Sequence, residues 1–184
     1  MSLIYHVFDT RADWVFPYTI VLPEYEGQYS REYYVVPKQT ITNMVTSVRA
    51  SLGSKEKIRW LYLVGHGDSG WLQMGYGLGE TNAYELKGLK SVLTSDAHIL
   101  IHGCAVASDT SILKPGGSVD HPKFSAGQYK GGTKGSGYKF LRAVADATGA
   151  FVSGAINAQF GDKSFHYEGP TLTVAPGGAQ KKSS

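Results

Sequence analysis

Three apolar runs punctuate the chain: IRWLYLVG (58–65), HILIHG (98–103) and AFVSGAI (150–156). Each is continuous where a half-exposed strand would alternate, so each reads as a strand buried on both faces. The β-branched and aromatic runs LIYHVF (3–8) and EYYVVP (32–37) also read as strands, and WVFPYTIVL (14–22) as extended chain interrupted by Pro17. Helical spacing lies between them. Ile41, Met44, Val45, Val48 and Leu52 share one face of a helix predicted over 38–52 and stopped by Gly53. Phe140, Leu141, Val144 and Ala145 mark another in GYKFLRAVADATG (137–149). The pattern in NAYELKGLKSVL (82–93) is weaker because Gly88 interrupts it. SFHYEG (164–169) and TLTVAP (171–176) read as short closing strands.

Strand and helix alternate, which predicts an α/β fold of three layers, a mainly parallel central sheet with helices on both faces. The stretch 108–137 breaks the rhythm. It is rich in glycine and lysine without periodicity and reads as a long mobile loop, a length that in compact domains signals function or disorder. Residues 1–175 then form one domain, and 176–184 a flexible tail.

Composition narrows the classes. A chain of 184 residues, 42% hydrophobic and 18% charged, suits one globular domain with a sizeable core. Its net charge of +3 is too small and dispersed for a nucleic-acid surface. A single cysteine excludes an internal disulfide and a Cys-rich zinc site, and the scattered histidines suggest no metal or other cofactor. The first residues lack a signal-peptide pattern, and no apolar run approaches 18 residues, so the expectation is a cytoplasmic protein without membrane contact.

The lone cysteine lies directly after a core strand. Gly65-His66-Gly67 follows one apolar run and Gly103-Cys104 the next, and the spacing of 38 residues from His66 to Cys104 is enough for one crossover helix. Ligands of open α/β sheets bind at the carboxyl ends of strands. If these strands are neighbours, His66 and Cys104 share that edge, and an imidazole beside a thiol makes a nucleophile at neutral pH. The flanking glycines give a substrate backbone close approach and leave amides for an oxyanion. A buried packing cysteine is the competing reading. An α/β-hydrolase elbow is excluded, because the positions two before and two after Cys104 hold His102 and Val106, not glycine.

His-Gly after one buried strand and Cys after the next resembles the caspase-like cysteine peptidases, which include caspases, metacaspases, gingipains, clostripain, separase and the CHAT domains. GHGDSGWLQMG, ILIHGCAVA, GYKFLRAVADATGAFVSGA and a later Gly-Asp are most similar to the caspase-like domain near the N-termini of large bacterial repeat-containing surface proteins. The likeness spans about residues 58–170. It implies a caspase-like fold and a cysteine endopeptidase acting on a protein or peptide substrate, with Cys104 attacking the peptide carbonyl. His66 would protonate the leaving amine, and the backbone amides of Gly67 and Cys104 would form the oxyanion hole. It further implies self-processing in the 108–137 connection.

The same resemblance points to His102, Ser153, Asp162 and Asp68 as candidates for the substrate pocket. The position two before the nucleophile is Asp in metacaspases and Gln in caspases. Here it is His102, which offers a Lys or Arg no fixed negative charge unless Asp68 or Asp162 supplies one. His102 as a hydrogen-bonding residue of the sheet edge remains the alternative. A catalytically silent caspase-like module that binds a partner protein is the alternative to the enzyme. Limited proteolysis is expected to cut first within 108–137; a digest that spares this stretch and cuts elsewhere overturns its reading as a mobile connection.

Overall fold

Residues 2–12, 29–109, 137–157, 167 and 169–183 are described in a computed structural model of the chain. The apolar runs become the centre of a seven-stranded sheet ordered β10-β9-β8-β7-β3-β1-β2. Its strands are β1 (Ser2–Asp9), β2 (Ser30–Val35), β3 (Lys57–Val64), β7 (Leu93–His102), β8 (Phe151–Ala155), β9 (Thr171–Val174) and β10 (Gln180–Ser183). The first five pair in parallel, and β9 and β10 close the sheet as an antiparallel hairpin. A second, three-stranded sheet follows β3 and consists of β4 (Gly67–Asp68), β5 (Trp71–Leu72) and β6 (Leu78–Gly79).

Three helices connect the parallel strands. In α1 (Ile41–Ala50) the Thr40 side chain accepts the Asn43 amide at 3.1 Å, capping the first turn. Ile41, Met44, Val45 and Val48 are its buried stripe. In α2 (Gly137–Thr148) Phe140, Leu141, Val144 and Ala145 are buried, as their spacing predicts. The weaker segment between them is a 3-10 helix, η1 (Glu80–Ser91). Its buried residues are Ala83, Leu86 and Leu89, one every third position, which matches three residues per turn. Gly88, the interruption in the sequence, is where α1 comes closest: a Cβ there would lie 2.8 Å from Val45 Cγ1.

Alternation along the strands divides the sheet into two chemically different faces. Leu3, Tyr5, Val7, Ile58, Leu61, Leu63, Ile99 and Ile101 join all three helices in one core. Among the described residues α1, η1 and α2 cover the same face. Right-handed crossovers explain this. The chain moves in one direction across the sheet from β2 to β3, β7 and β8, so each connection falls on the same side. The β1-to-β2 connection runs the other way. It contains WVFPYTIVL (14–22), which lies outside the described residues, as do 110–136 and most of SFHYEG.

The opposite face carries rings. His6 stacks on Phe8 and Tyr62 with centroids 5.8 and 4.8 Å away, and Phe8 stacks on Tyr34. Trp60, His98 and Phe151 are register partners on β3, β7 and β8, and their rings stack in a row across the strands. Rings from five strands thus build this face, where side chains pair across neighbouring strands.

The segment 176–184, expected as a flexible tail, includes the strand β10. Residues 180–183 pair with β9, although all four are exposed. Backbone bonding, which composition does not report, recruits them, and Lys181 and Lys182 put charge on this outer strand. No described helix is long and apolar enough to cross a membrane.

Burial among these rings has a pH consequence. Desolvation lowers the His6 pKa to about 4, against a smaller opposing pull from Glu32. The unfolded chain binds this proton near pH 6.5 and the folded chain does not, so stability is present above that pH and is lost as pH falls toward 4. Urea unfolding at pH 7 and pH 4 is expected to show wild type losing about 3 kcal/mol more than His6→Phe over this range. Equal losses in the two proteins would place the acid sensitivity elsewhere.

Candidate functional site

The parallel register of β3 and β7 decides where the reactive residues fall. Val64 is the partner of His102, the last pair of the ladder, and the Gly65 amide donates to the His102 carbonyl at 3.0 Å. His66 and Cys104 each stand two positions beyond that pair, at the carboxyl ends of neighbouring strands. Both are partly buried.

Glycine permits this meeting. A Cβ on Gly67 would lie 2.9 Å from the Gly103 Cα and carbonyl carbon and 2.6 Å from Val106 Cγ1. A Cβ on Gly103 would lie 2.8 Å from Leu72 Cδ1. The two loops touch backbone to backbone at the positions flanking the reactive residues, where any side chain would force them apart.

Hydrogen bonds then sew the loops together. The Gly70 amide donates to the Val106 carbonyl at 3.0 Å, and the Ser69 hydroxyl donates to the Ser108 carbonyl at 2.6 Å. The Ser108 carbonyl also accepts the Gly137 amide, which ties in the start of α2. On the other side, the amide of Ala107 donates to the carbonyl of Ala155, the last residue of β8, and that of Ala105 to the carbonyl of Asn157 just beyond it. Ala105, the residue after the cysteine, has φ of 50° in the left-handed region that a non-glycine residue rarely adopts. Held strain of this kind clusters at functional sites, and here the surrounding bonds maintain it.

The remaining candidates are dispersed. His102 is buried on the ring-lined face, its imidazole stacked on Tyr167 at 4.5 Å and on Tyr62 at 5.5 Å. The Tyr167 hydroxyl lies 2.9 Å from the Ser153 carbonyl and 3.3 Å from that of Ile101, and burial raises its pKa. Ser153 pairs in register with Leu100 and Thr173, and its hydroxyl is 2.7 Å from that of Thr173. Asp68 is buried within β4, opposite Trp71. Asp162 lies outside the described residues. His66, Gly67 and Cys104 are thus gathered at one edge, His102 joins the rings, and Ser153 is engaged with β9.

Sequence reading overlooks Asp9 and Arg11, which stand at the end of β1 beside the same edge. An Asp closing a strand and an Arg two residues later were legible signals, but their partners, the amide and carbonyl of Gly75, are 64 or more positions away. Among the described residues, no group of three or more His, Cys, Asp or Glu is arranged to hold a metal ion. A groove lined by Arg49, Ser54, Glu56 and Lys57 lies at the opposite edge of the sheet and contains none of the candidates.

The model of a family described as a domain of unknown function, DUF4347, matches residues 27–112. The matched stretch includes β2, α1, β3, the small sheet, β7 and both reactive residues, and it ends before α2. No curated protein and no solved structure matches the chain.

The glycine contact carries a prediction. Gly67→Ala is expected to destabilise the protein by about 1–3 kcal/mol in denaturant unfolding, the usual cost of an extra methyl in a packed interior. Trimming Val106 to Ala in that background should recover only part of the loss, because the Gly103 backbone remains in the way. Full recovery would show that the Val106 side chain alone made the contact tight.

Proposed function

We propose that this chain is a cysteine endopeptidase of the caspase-like type, with a dyad of His66 and Cys104. The observation that carries the reading is the placement of both residues two positions beyond one registered pair, on loops whose glycine backbones touch. A fold in which a parallel sheet presents His and Cys from adjacent strand ends fits the caspase-like architecture. The strained Ala105 beside the thiol adds support.

The chemistry follows from those positions. His66 takes the thiol proton, and the Cys104 sulfur attacks the carbonyl carbon of a peptide bond. Amides of Gly67 and Cys104 receive the charge that develops on the carbonyl oxygen. The imidazolium returns its proton to the departing amine, and water then hydrolyses the thioester to free the enzyme. The substrate is a protein or peptide. Self-cleavage within 108–137 belongs to the same proposal, although most of that stretch lies outside the described residues. His102, packed between two tyrosine rings, fits the sheet-edge role better than a pocket that receives a substrate side chain.

Alkylation by iodoacetamide tests the dyad directly. Wild-type Cys104 is expected to react at least tenfold faster at pH 7 than in His66→Ala, in line with the usual gain from a positioned base. A rate equal to that of a simple thiol, unchanged by His66→Ala, would overturn the enzyme and leave a protein-binding module. Cys104→Ala should abolish cleavage of denatured-protein substrates while changing the unfolding free energy by less than about 1 kcal/mol. A loss of several kcal/mol with no activity to lose would mark the cysteine as core packing.

A further inference from the structure

The strand order reverses between β1 and β3: the chain leaves β1 for β2 on one side and returns through α1 to β3 on the other. In open α/β sheets such a reversal opens a crevice between the carboxyl ends of the two strands. Here Asp9 and Arg11 occupy it. Asp9 is fully buried, and each of its carboxylate oxygens accepts two hydrogen bonds. Oδ1 takes the Arg11 amide at 3.0 Å and Arg11 Nε at 2.7 Å; Oδ2 takes Arg11 Nη2 at 2.6 Å and the Gly75 amide at 2.8 Å. Arg11 Nη2 also donates to the Gly75 carbonyl at 2.6 Å. One ion pair thus holds both backbone groups of Gly75.

Gly75 is itself constrained. Its φ is 58°, and a Cβ there would collide with the Gln39 carbonyl. Two residues earlier, the Gln73 amide donates to the His66 carbonyl at 2.6 Å. Asp9 Cβ also lies 3.6 Å from where a Cβ of Gly65 would sit, against the residue before His66. The bonds run without a gap from the end of β1, through the turn at 73–75, to the backbone of His66.

We propose that the Asp9–Arg11 pair is a positioning device for His66, which sets the imidazole at the distance from Cys104 that activates the thiol. This inference rests on the His66–Cys104 reading. A buried ion pair adds little net stability over well-packed apolar residues, because desolvation offsets its attraction. What it adds is geometry. The planar guanidinium fork meets the carboxylate in one orientation and leaves an N–H for Gly75, which an ammonium on a flexible stem does not reproduce.

The test is the pH dependence of Cys104 alkylation by iodoacetamide in the full chain, for wild type, His66→Ala, Asp9→Asn, Arg11→Lys and the double variant His66→Ala/Asp9→Asn. Asp9→Asn and Arg11→Lys are expected to move the profile toward that of His66→Ala and to slow the reaction at pH 7 by about tenfold, a cost typical of small misplacement at a reacting centre. The double variant should be no slower than His66→Ala alone, because Asp9 acts through His66. Should Asp9→Asn fail to fold, Arg11→Lys, which keeps both charges, decides the matter. Variants that melt earlier yet keep the wild-type profile would overturn the positioning role while leaving the dyad standing. A further loss in the double variant would overturn it too, by showing that Asp9 acts by another route. If wild type reacts no faster than His66→Ala, the dyad falls and the positioning role with it.

Discussion

The parallel pairing of β3 with β7 is the constraint on which the molecule turns. It ends at Val64 and His102, and two residues further on His66 and Cys104 stand at the same edge of the sheet. The small sheet, the start of α2 and the end of β8 are all bonded to the loops that leave this pair. A shift of one residue in the ladder would separate the two side chains and reverse the faces of the sheet. The apolar interleaving of Leu61, Leu63, Ile99 and Ile101 with the helices resists such a shift.

The two faces of the sheet do different work. One is aliphatic and receives α1, η1 and α2. The other is lined by imidazole and aromatic rings that stack across strands, which makes it sensitive to protonation in a way the aliphatic face cannot be. Desolvation also lowers the pKa of His98, between Trp60 and Phe151, despite the nearby Asp96 carboxylate. Acid should therefore act first on the ring-lined face. The Asp9–Arg11 pair stands at the end of β1, where it joins the sheet to the turn behind His66.

Much of this was legible in the chain. The continuous apolar runs identified the central strands because burial on both faces leaves no polar alternation to read. The helical stripes of α1 and α2 followed from their spacing, and the glycines beside His66 and Cys104 stand where the two loops touch. Where the reading failed, the cause was local information. A period near three in η1 passed for a faint α-helical pattern, and the exposed strand β10 carries no apolar signal at all. The rings that surround His102, from Tyr62 and Tyr167, likewise lie far from it in the chain.

By itself the sequence determined the central strands and the helices α1 and α2, because periodicity and turn chemistry are properties of neighbouring residues. It also determined which residues can serve as nucleophile and base. Tertiary structure alone decided that β3 and β7 are adjacent, that the described helices share one face, and that Asp9 reaches across 66 positions to the Gly75 amide. Those outcomes depend on strand order and crossover handedness, which bring together groups that no local pattern in the chain connects.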